Sequence, residues 1–306
     1  MSERQSSESL IADNKVNIHE FADVSPKAEL GRGVSVGSGS VIGPDVIVGP
    51  NTWIGPNVII EGKVKIGSNN KIFPGACIGL EPQDLKYGGD STDVLIGDDN
   101  TFRECVTINR ATFEGEKTIV GNQNLLMAYS HLGHNCDIGN SVVIANSVQI
   151  AGHVVVEDRA VIGGCLGIHQ FVHIGYLAMV GGMTRVDRDV PPFCLVEGHP
   201  GRMRGLNKVG IKRQTLDKEN KEEYLQLKRI WNLLFKSEYV ISDGLKRARQ
   251  ENLLQSSARL CKFIELSIGK GRRGPMPYFI STNNCLLYTS DAADEGLGVD
   301  LGGRRI

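Results

Sequence analysis

Length, composition and charge restrict the class of protein before any motif is considered. The chain has 306 residues, of which 41% are hydrophobic and 6% aromatic, and this composition is typical of a soluble globular protein with a sizeable core. The 34 Lys and Arg residues are balanced by 35 Asp and Glu residues, so the net charge of -1 provides no overall field to attract nucleic acid or an anionic membrane.

The N-terminal segment and the cysteines bear on location. Residues 1–15 are mostly polar, without an apolar run of signal-peptide length, and nowhere do about 18 apolar residues occur together. We therefore expect a flexible N-terminus, no secretion signal and no membrane span. The seven cysteines form no C-x-x-C pair, and their odd number argues against a complete disulfide framework, so a cytoplasmic location is favoured.

Residues 16–205 carry a repeat of six residues. From Val24 to Val186 the register contains 28 positions, and only Asp84, Asp90 and Glu114 are neither aliphatic nor Phe. The next residue is often Gly, which we expect to permit a corner. A period of six is neither helical nor simple strand alternation, so it predicts a solenoid with three short β faces in each coil of 18 residues. Residues i and i+18 should then stack at the inter-strand spacing of about 4.8 Å.

Two stretches, residues 80–93 and 111–118, interrupt the repeat without changing its phase. We therefore predict loops that leave a corner of a continuous solenoid. Loops held on a rigid scaffold often carry binding and catalytic residues.

Beyond Pro191-Pro192 the repeat ends, and residues 206–280 show apolar positions at helical spacing. We predict a small α-helical domain that covers the open end of the solenoid, with Asp217 and Ser242 as N-caps. Residues 281–306 show neither pattern, and we expect a disordered or non-native tail. The apolar positions of the predicted helices are Leu227, Ile230, Leu234, Leu245, Leu260, Phe263 and Ile264.

Coil arithmetic places candidate catalytic groups together. His134, Gly152 and Gln170 are each 18 residues apart and should form one column on neighbouring coils. An imidazole one coil away from a glycine N–H supplies a base and an oxyanion donor, which are two components of acyl transfer. The alternatives are a three-histidine zinc site of the carbonic-anhydrase type, surface imidazoles without a task, and a scaffold without chemistry. The adjacent column contains Asn135, His153 and Phe171.

The repeat resembles that of the hexapeptide-repeat acyltransferases. This resemblance implies a left-handed parallel β-helix and a trimer, whereas general rules favour right-handed parallel crossovers. Over about residues 16–270, more specific motifs are similar to the UDP-N-acetylglucosamine O-acyltransferase family. These motifs are Gln83-Asp84-Leu85-Lys86-Tyr87, Asn124-Leu125-Leu126-Met127, His131-Leu132-Gly133-His134, Ala151-Gly152-His153, Ile168-His169-Gln170-Phe171 and Asp189-Val190-Pro191-Pro192.

The resemblance implies roles for individual residues. His134 would be the general base and the Gly152 N–H the oxyanion donor, and Gly182 would lie at the end of the acyl groove and allow a longer acyl group. Asn207 and Arg213 would hold the nucleotide, since an Arg fork suits a diphosphate. The residues that would line the cleft between subunits are Asp84, Lys86, His131, His153, His169 and Gln170.

The implied reaction transfers a (3R)-hydroxyacyl group from acyl carrier protein to the 3-hydroxyl of UDP-N-acetylglucosamine, the first step of lipid A biosynthesis. A homotrimer would perform it without a metal or a dissociable cofactor. N-acylation of a 3-amino analogue and a zinc-dependent, carbonic-anhydrase-like hydratase remain alternatives. Three positions depart from the family pattern: Asn135, where many members have Asp, and Val209 and Gln214 near the nucleotide.

Overall fold

The computed structural model describes residues 15–214 and 220–279. Residues 281–306 and Asp217 lie outside these ranges. The described residues form 28 short strands and four helices. Most strands are arranged in three parallel sheets, A, B and C, which are the faces of a triangular prism.

From β1 to β26, successive strands belong to sheets A, B and C in turn, and β27 and β28 both belong to sheet A. Sheet A contains β1 (Asn17–Ile18), β4 (Ser35–Val36), β7 (Trp53–Ile54), β10 (Lys71–Ile72), β13 (Thr101–Phe102), β16 (Leu125–Leu126), β19 (Val143–Ile144), β22 (Val161–Ile162), β25 (Met179–Val180), β27 (Cys194–Glu197) and β28 (Arg202–Leu206). Sheet B contains β2 (Asp23–Val24), β5 (Val41–Ile42), β8 (Ile59–Ile60), β11 (Cys77–Leu80), β14 (Thr107–Asn109), β17 (His131–Leu132), β20 (Gln149–Ile150), β23 (Gly167–Ile168) and β26 (Arg185–Val186). Sheet C contains β3 (Glu29–Leu30), β6 (Val46–Val48), β9 (Lys63–Ile66), β12 (Asp93–Ile96), β15 (Lys117–Val120), β18 (Asp137–Ile138), β21 (Val155–Val156) and β24 (His173–Ile174).

The strand register confirms the coil of 18 residues. In a regular coil such as the first, Asn17 pairs with Ser35, 18 positions later. The spacing rises to 30 between Lys71 and Thr101, and to 24 between Thr101 and Leu125. Both extended coils lengthen by multiples of six, which explains why the hexad phase continues through the interruptions.

The predicted loops differ slightly at their ends. Strand β11 ends at Leu80 and β12 begins at Asp93, so the first loop, called loop 1, comprises residues 81–92. The second, called loop 2, comprises residues 110–116, because Lys117 and Thr118 pair with sheet C as part of β15. The alternating pattern Lys-Thr-Ile-Val is typical of a strand that is buried on one side.

The aliphatic hexad positions fill the prism. Ile54, Ile72 and Leu126 are completely buried, whereas Val24 and Leu30, near the start of the solenoid, are only half-buried. The glycine that follows many hexad positions was expected to permit a corner, but it has another role. A Cβ atom on Gly37 would lie 2.6 Å from the carbonyl carbon of Gly55 on the next coil, so glycine permits close packing of coils. Positive φ angles occur two residues later, at positions such as Asn57 with φ 55°.

The last coil ends in an antiparallel hairpin of β27 and β28 and is followed by helices. They are α1 (Lys208–Arg213), α2 (Lys221–Phe235), α3 (Ile241–Ala248) and α4 (Gln255–Ser267). The predicted apolar helical positions are buried. Ser242 is not an N-cap, since α3 begins one residue earlier with Val240 at the cap position.

Asp189 joins the helical region to the solenoid. It accepts hydrogen bonds from the His173 N–H at 2.8 Å, from Ser267 Oγ at 2.7 Å and from Arg272 Nη2 at 2.7 Å.

The fold as a whole is the expected left-handed parallel β-helix followed by a small α-helical region. None of the described helices has both the length and the apolar character needed to cross a lipid bilayer.

Candidate active site

One edge of the prism carries most of the predicted site residues. This edge, called the B–C corner, is the series of turns that lead from sheet B to sheet C. Loop 1 connects β11 to β12 and loop 2 connects β14 to β15, so both loops leave this corner. His134, Gly152 and Gln170 occupy the same corner on the following three coils. The solenoid thus places both loops beside the predicted catalytic column.

His134 and Gly152 are in direct contact, as the coil arithmetic predicted. The His134 side chain is buried, and a Cβ atom on Gly152 would overlap Nε2 and Cε1 of its ring. The His153 N–H donates to the His134 carbonyl oxygen at 2.9 Å, which holds the two coils in register. Only glycine at position 152 leaves room for the imidazole.

Among the described residues, the Gly152 N–H lacks the acceptor that equivalent turn positions have. At the equivalent turn position of the corner between sheets C and A, the side chain of the next coil accepts the N–H. There, Asn122 N donates to Asn140 Oδ1 at 2.8 Å, and Asn140 N donates to Asp158 Oδ1 at 2.7 Å. Within residues 15–214 and 220–279, Gly152 N donates no hydrogen bond, and Gln170 on the next coil has an exposed side chain. A buried N–H without a partner is uncommon and therefore informative.

The two ring nitrogens of His134 have different surroundings. Nδ1 lies 3.0 Å from Thr112 Oγ1 and 2.9 Å from Asn135 Oδ1. Nε2 lies beside Gly152 and 3.8 Å from Asp84 Oδ2. The imidazole is therefore held through Nδ1, and Nε2 is the nitrogen that faces the cleft between the corner and loop 1.

Loop 1 places Asp84 opposite the imidazole. The Lys86 N–H donates to Asp84 Oδ1 at 3.0 Å, and this hydrogen bond lowers the pKa of the Asp84 carboxyl below its ordinary value, with the Lys86 ammonium contributing. Arg110 fixes the loop, because its guanidinium donates to the Gly79 carbonyl at 3.0 Å and to the Tyr87 hydroxyl at 2.8 Å. The carboxylate of Asp84 is thus held ionised beside the His134 ring.

His131 and His153 flank His134. Burial lowers the pKa of His131, whose Nδ1 lies 2.7 Å from Thr107 Oγ1. Burial also lowers the pKa of His153, whose ring stacks on Phe171 at 4.8 Å and meets the His134 ring edge-on at 5.0 Å. Both shifts favour neutral rings that can pack against a ligand or share a hydrogen bond with it.

His169 and Gln170 continue the corner toward the helical region. Arg273 Nη2 lies 3.2 Å from His169 Nε2, and His169 Nδ1 lies 3.0 Å from the Gln170 carbonyl oxygen. Because a guanidinium only donates, Nε2 must accept and Nδ1 must carry the proton. His131 and His169 also line a cavity of about 450 Å³ on the outer face of sheet B.

Three predicted site residues lie elsewhere in the chain. Gly182 is in the turn between β25 and β26, at the corner between sheets A and B. Arg213 lines a cavity of about 570 Å³ beside the outer face of sheet A. Asn207 is the N-cap of α1: it accepts from the Gly210 N–H at 2.9 Å and donates to the Leu177 carbonyl at 2.9 Å. Its side chain is therefore already used within the chain.

Geometry separates these residues from His134. In a triangular prism, the face formed by sheet A is opposite the B–C corner. One chain therefore cannot bring Arg213 and His134 into a single pocket, and a site that uses both residues has to combine two copies of the chain.

The sequence patterns missed the groups that hold the His134 ring and loop 1 in place. Thr112, Glu116 and Arg110 contact His134, Asn135 or loop 1, but none belongs to a recognised motif or column. The only signal was the interruption of the repeat, which marked the loop and not its contacts. In the described part of the chain, no group of three or more His, Cys, Asp or Glu side chains is placed to hold a metal ion.

Comparisons with known proteins identify related sequences and folds. Residues 189–276 match the family model described as "Udp N-acetylglucosamine O-acyltransferase; Domain 2". Residues 45–79 and 117–152 match the model described as "Bacterial transferase hexapeptide (six repeats)". The two matches cover the region of the last coil and helices, and parts of the solenoid on both sides of loops 1 and 2.

Individual relatives are similar over most of their length. The acyl-[acyl-carrier-protein]–UDP-N-acetylglucosamine O-acyltransferase of Synechocystis sp. is 49% identical over 225 residues, which cover 72% of this chain and 79% of the relative. The protein of the same name from Campylobacter concisus is 37% identical, with 86% and 94% covered. The solved UDP-N-acetylglucosamine acyltransferase of Francisella novicida matches with a TM-score of 0.79 and 31% identity, over 87% of this chain and 96% of that one.

Proposed function

The chain belongs to the acyl-[acyl-carrier-protein]–UDP-N-acetylglucosamine O-acyltransferase family, and from this premise we propose that His134 and Gly152 perform its acyl transfer. The substrates are an acyl group carried by acyl carrier protein and UDP-N-acetylglucosamine. The observation that carries the proposal is the contact between an imidazole and a glycine backbone whose N–H has no partner in the described chain.

His134 Nε2 takes the proton of the sugar 3-hydroxyl as the oxygen attacks the thioester carbonyl carbon. The carbonyl π electrons move to oxygen, and the Gly152 N–H donates to the resulting oxyanion. Collapse of the tetrahedral intermediate re-forms the C=O bond and breaks the C–S bond. The departing thiolate receives the proton from the imidazolium, so the products are the ester and free carrier-protein thiol.

Asp84 supports the charge that develops during this step. Its carboxylate lies 3.8 Å from the nitrogen that becomes protonated, and a negative charge at that distance stabilises an imidazolium. The same carboxylate can accept a hydrogen bond from a sugar hydroxyl. Lys86, His131, His153, His169 and Gln170 line the remaining cleft in this proposal.

We propose a homotrimer in which neighbouring chains share each site. Arg213 of one copy would face the B–C corner of the next, so that the nucleotide and the base meet, and Asn207 would contribute as the N-cap of the helix that carries Arg213. Two surface features support this assembly. Leu85 at the tip of loop 1 is fully exposed, and an apolar row is half-exposed on the outer face of sheet A. The row consists of Leu125, Val143, Val161, Met179 and Leu195.

The finer assignments concern the donor, the pathway and the location. We propose a (3R)-hydroxyacyl donor of longer chain, because Gly182 presents no side chain to the groove that it would close. We also propose that the reaction begins lipid A biosynthesis in the cytoplasm, where the free thiols of the six described cysteines would stay reduced.

Purified protein is mixed with UDP-N-acetylglucosamine and hydroxyacyl carrier proteins of several chain lengths, and the acylated nucleotide is measured by mass spectrometry. His134→Ala should retain assembly and lose about 10²-fold or more in rate, since that is the size of a general-base contribution. A variant with native rate would remove His134 from the mechanism. Preference for the 3-amino analogue, or stoichiometric zinc with hydratase activity, would favour the two alternatives instead.

A further inference from the structure

The carboxylate of Glu116 lies on the far side of Asn135 from the base. Asn135 Nδ2 donates to Glu116 Oε2 at 2.7 Å, and Asn135 Oδ1 lies 2.9 Å from His134 Nδ1. We infer that Glu116 is a positioning residue that sets the tautomer of His134 through Asn135. The inference rests on the proposed function, which gives His134 its task as general base.

Two independent groups fix the orientation of the Asn135 amide. An ionised carboxylate only accepts hydrogen bonds, so the end of the amide that faces Glu116 must be the NH₂ group. The Thr112 backbone N–H only donates, and it meets the other end of the amide at 3.2 Å, so that end must be the carbonyl oxygen. The amide therefore has one satisfactory orientation.

This orientation determines which nitrogen of His134 carries the proton. Because Asn135 Oδ1 accepts, His134 Nδ1 must donate, and a neutral imidazole then has its lone pair on Nε2. Thr112 Oγ1, 3.0 Å from Nδ1, agrees with this assignment, since its own proton points to Asp84 Oδ2 at 3.4 Å. Nε2 is consequently free to accept the proton of the attacking hydroxyl.

The opposite orientation would disable the base. A flipped amide would present NH₂ to Nδ1, and the ring proton would move to Nε2. No lone pair would then face the cleft. Glu116 prevents this flip, and its own position is fixed because the Phe113 N–H donates to Oε2 at 3.1 Å. Loop 2 thus fixes the Glu116 carboxylate, and this carboxylate orients the Asn135 amide. The amide in turn selects the tautomer of His134.

Removal of the carboxylate tests the inference by rate. Groups that orient a metal-bound histidine through its second nitrogen contribute about 10- to 100-fold. By analogy, Glu116→Ala should lower kcat by about that factor with little change in KM. Glu114→Ala is the matched control, because this carboxylate is in the same loop and accepts from the Ser91 N–H at 2.8 Å, without contact to Asn135. The control should keep native kcat, and equal rates for the two variants would overturn the inference.

A second substitution should rescue the first. Asn135→Asp combined with Glu116→Ala places a carboxylate beside His134 Nδ1, and a carboxylate accepts with either oxygen. The double variant therefore no longer requires Glu116, and its kcat should return to within about threefold of the native value. If Glu116 acts only by stabilising the fold of loop 2, the double variant will stay as slow as Glu116→Ala.

The tautomer itself can be measured without activity. In protein with ¹⁵N-labelled histidine, the His134 signals are those lost in His134→Ala, and the native spectrum should show a protonated Nδ1. Glu116→Ala should shift the proton toward Nε2. A native spectrum with the proton on Nε2 would overturn the inference, whereas absence of acyl transfer in native protein would contradict the proposed function and leave the tautomer result intact.

Discussion

The imidazole of His134 packs directly against the backbone of Gly152, on the neighbouring coil, in the volume that any side chain at position 152 would need. We therefore predict that Gly152→Ala displaces the imidazole and also disturbs the oxyanion donor. Loss of one such donor alone lowers kcat by about 10²- to 10³-fold, and the variant should lose at least that much. Steady-state kinetics with the thioester donor measures the effect.

Gly88→Ala provides the control for that prediction. Gly88 lies in loop 1 with nothing within 4 Å of its potential Cβ, and its φ is not positive. This variant should keep native kcat. If Gly152→Ala also kept it, the oxyanion role and the tight contact would both be wrong.

The geometry of this pair was accessible from sequence because the repeat is strict. Once the coil length is 18, positions 134 and 152 must be neighbours whatever the side chains are. The same argument placed His153 beside Phe171, and their rings stack at 4.8 Å. In a solenoid, contacts between coils follow from counting, which is why these relationships could be predicted.

The contacts made by the loops could not be predicted from the coil length. Glu116 and Asn135 are 19 residues apart, a spacing that no coil rule singles out, and their hydrogen bond depends on how loop 2 folds back over the corner. Likewise, the repeat does not determine handedness, which came from the resemblance alone. The role of the hexad glycines was misjudged because close approach and positive φ both favour glycine.

Buried asparagines should stabilise the coils that carry the loops. Asn100 is completely buried, donates to Asn70 Oδ1 at 3.0 Å and to the Gly121 carbonyl at 2.9 Å, and accepts from the Asn124 N–H at 2.9 Å. Asn100→Leu would leave the buried Asn124 N–H and the half-buried Gly121 carbonyl unsatisfied. We predict a loss of about 3 kcal/mol in the free energy of unfolding. Urea titration at fixed protein concentration measures it.

The same substitution at an exposed site is the control for the asparagine prediction. Asn17→Leu in β1 changes an exposed side chain and should alter the free energy of unfolding by less than about 0.5 kcal/mol. Equal losses for the two variants would show that the hydrogen bonds of the buried Asn100 side chain make no special contribution to the free energy of unfolding.

The lowered pKa values of His131 and His153 predict a loss of stability in mild acid. Burial lowers both values in the folded state, so the unfolded chain binds these protons at higher pH than the folded chain does. As pH falls below the ordinary histidine value of about 6.5, stability is therefore lost. His131→Asn should show a smaller decrease in Tm than the native protein between about pH 7.5 and 5.5.

His19→Asn is the control for the acid prediction. His19 is in the first coil and outside the site, and this variant should match the native decrease. An unchanged decrease in His131→Asn would contradict this source of acid sensitivity.

Mixed assemblies test whether a site combines two chains. His134 is at the B–C corner and Arg213 is beside sheet A on the opposite side of the prism, so His134→Ala and Arg213→Ala should impair different halves of one shared site. Each variant alone should be slow in a homotrimer. In a cyclic trimer that contains both variants, one of the three interfaces pairs an intact His134 with an intact Arg213, and activity should recover to about one third of native. Trimers carrying two different affinity tags can be isolated and assayed directly.

His134→Ala mixed with Gly152→Ala is the control. Both residues occupy the same corner, so no interface of that mixture is complete. Absence of recovery in the first mixture, or recovery in the second, would contradict a site shared in this way.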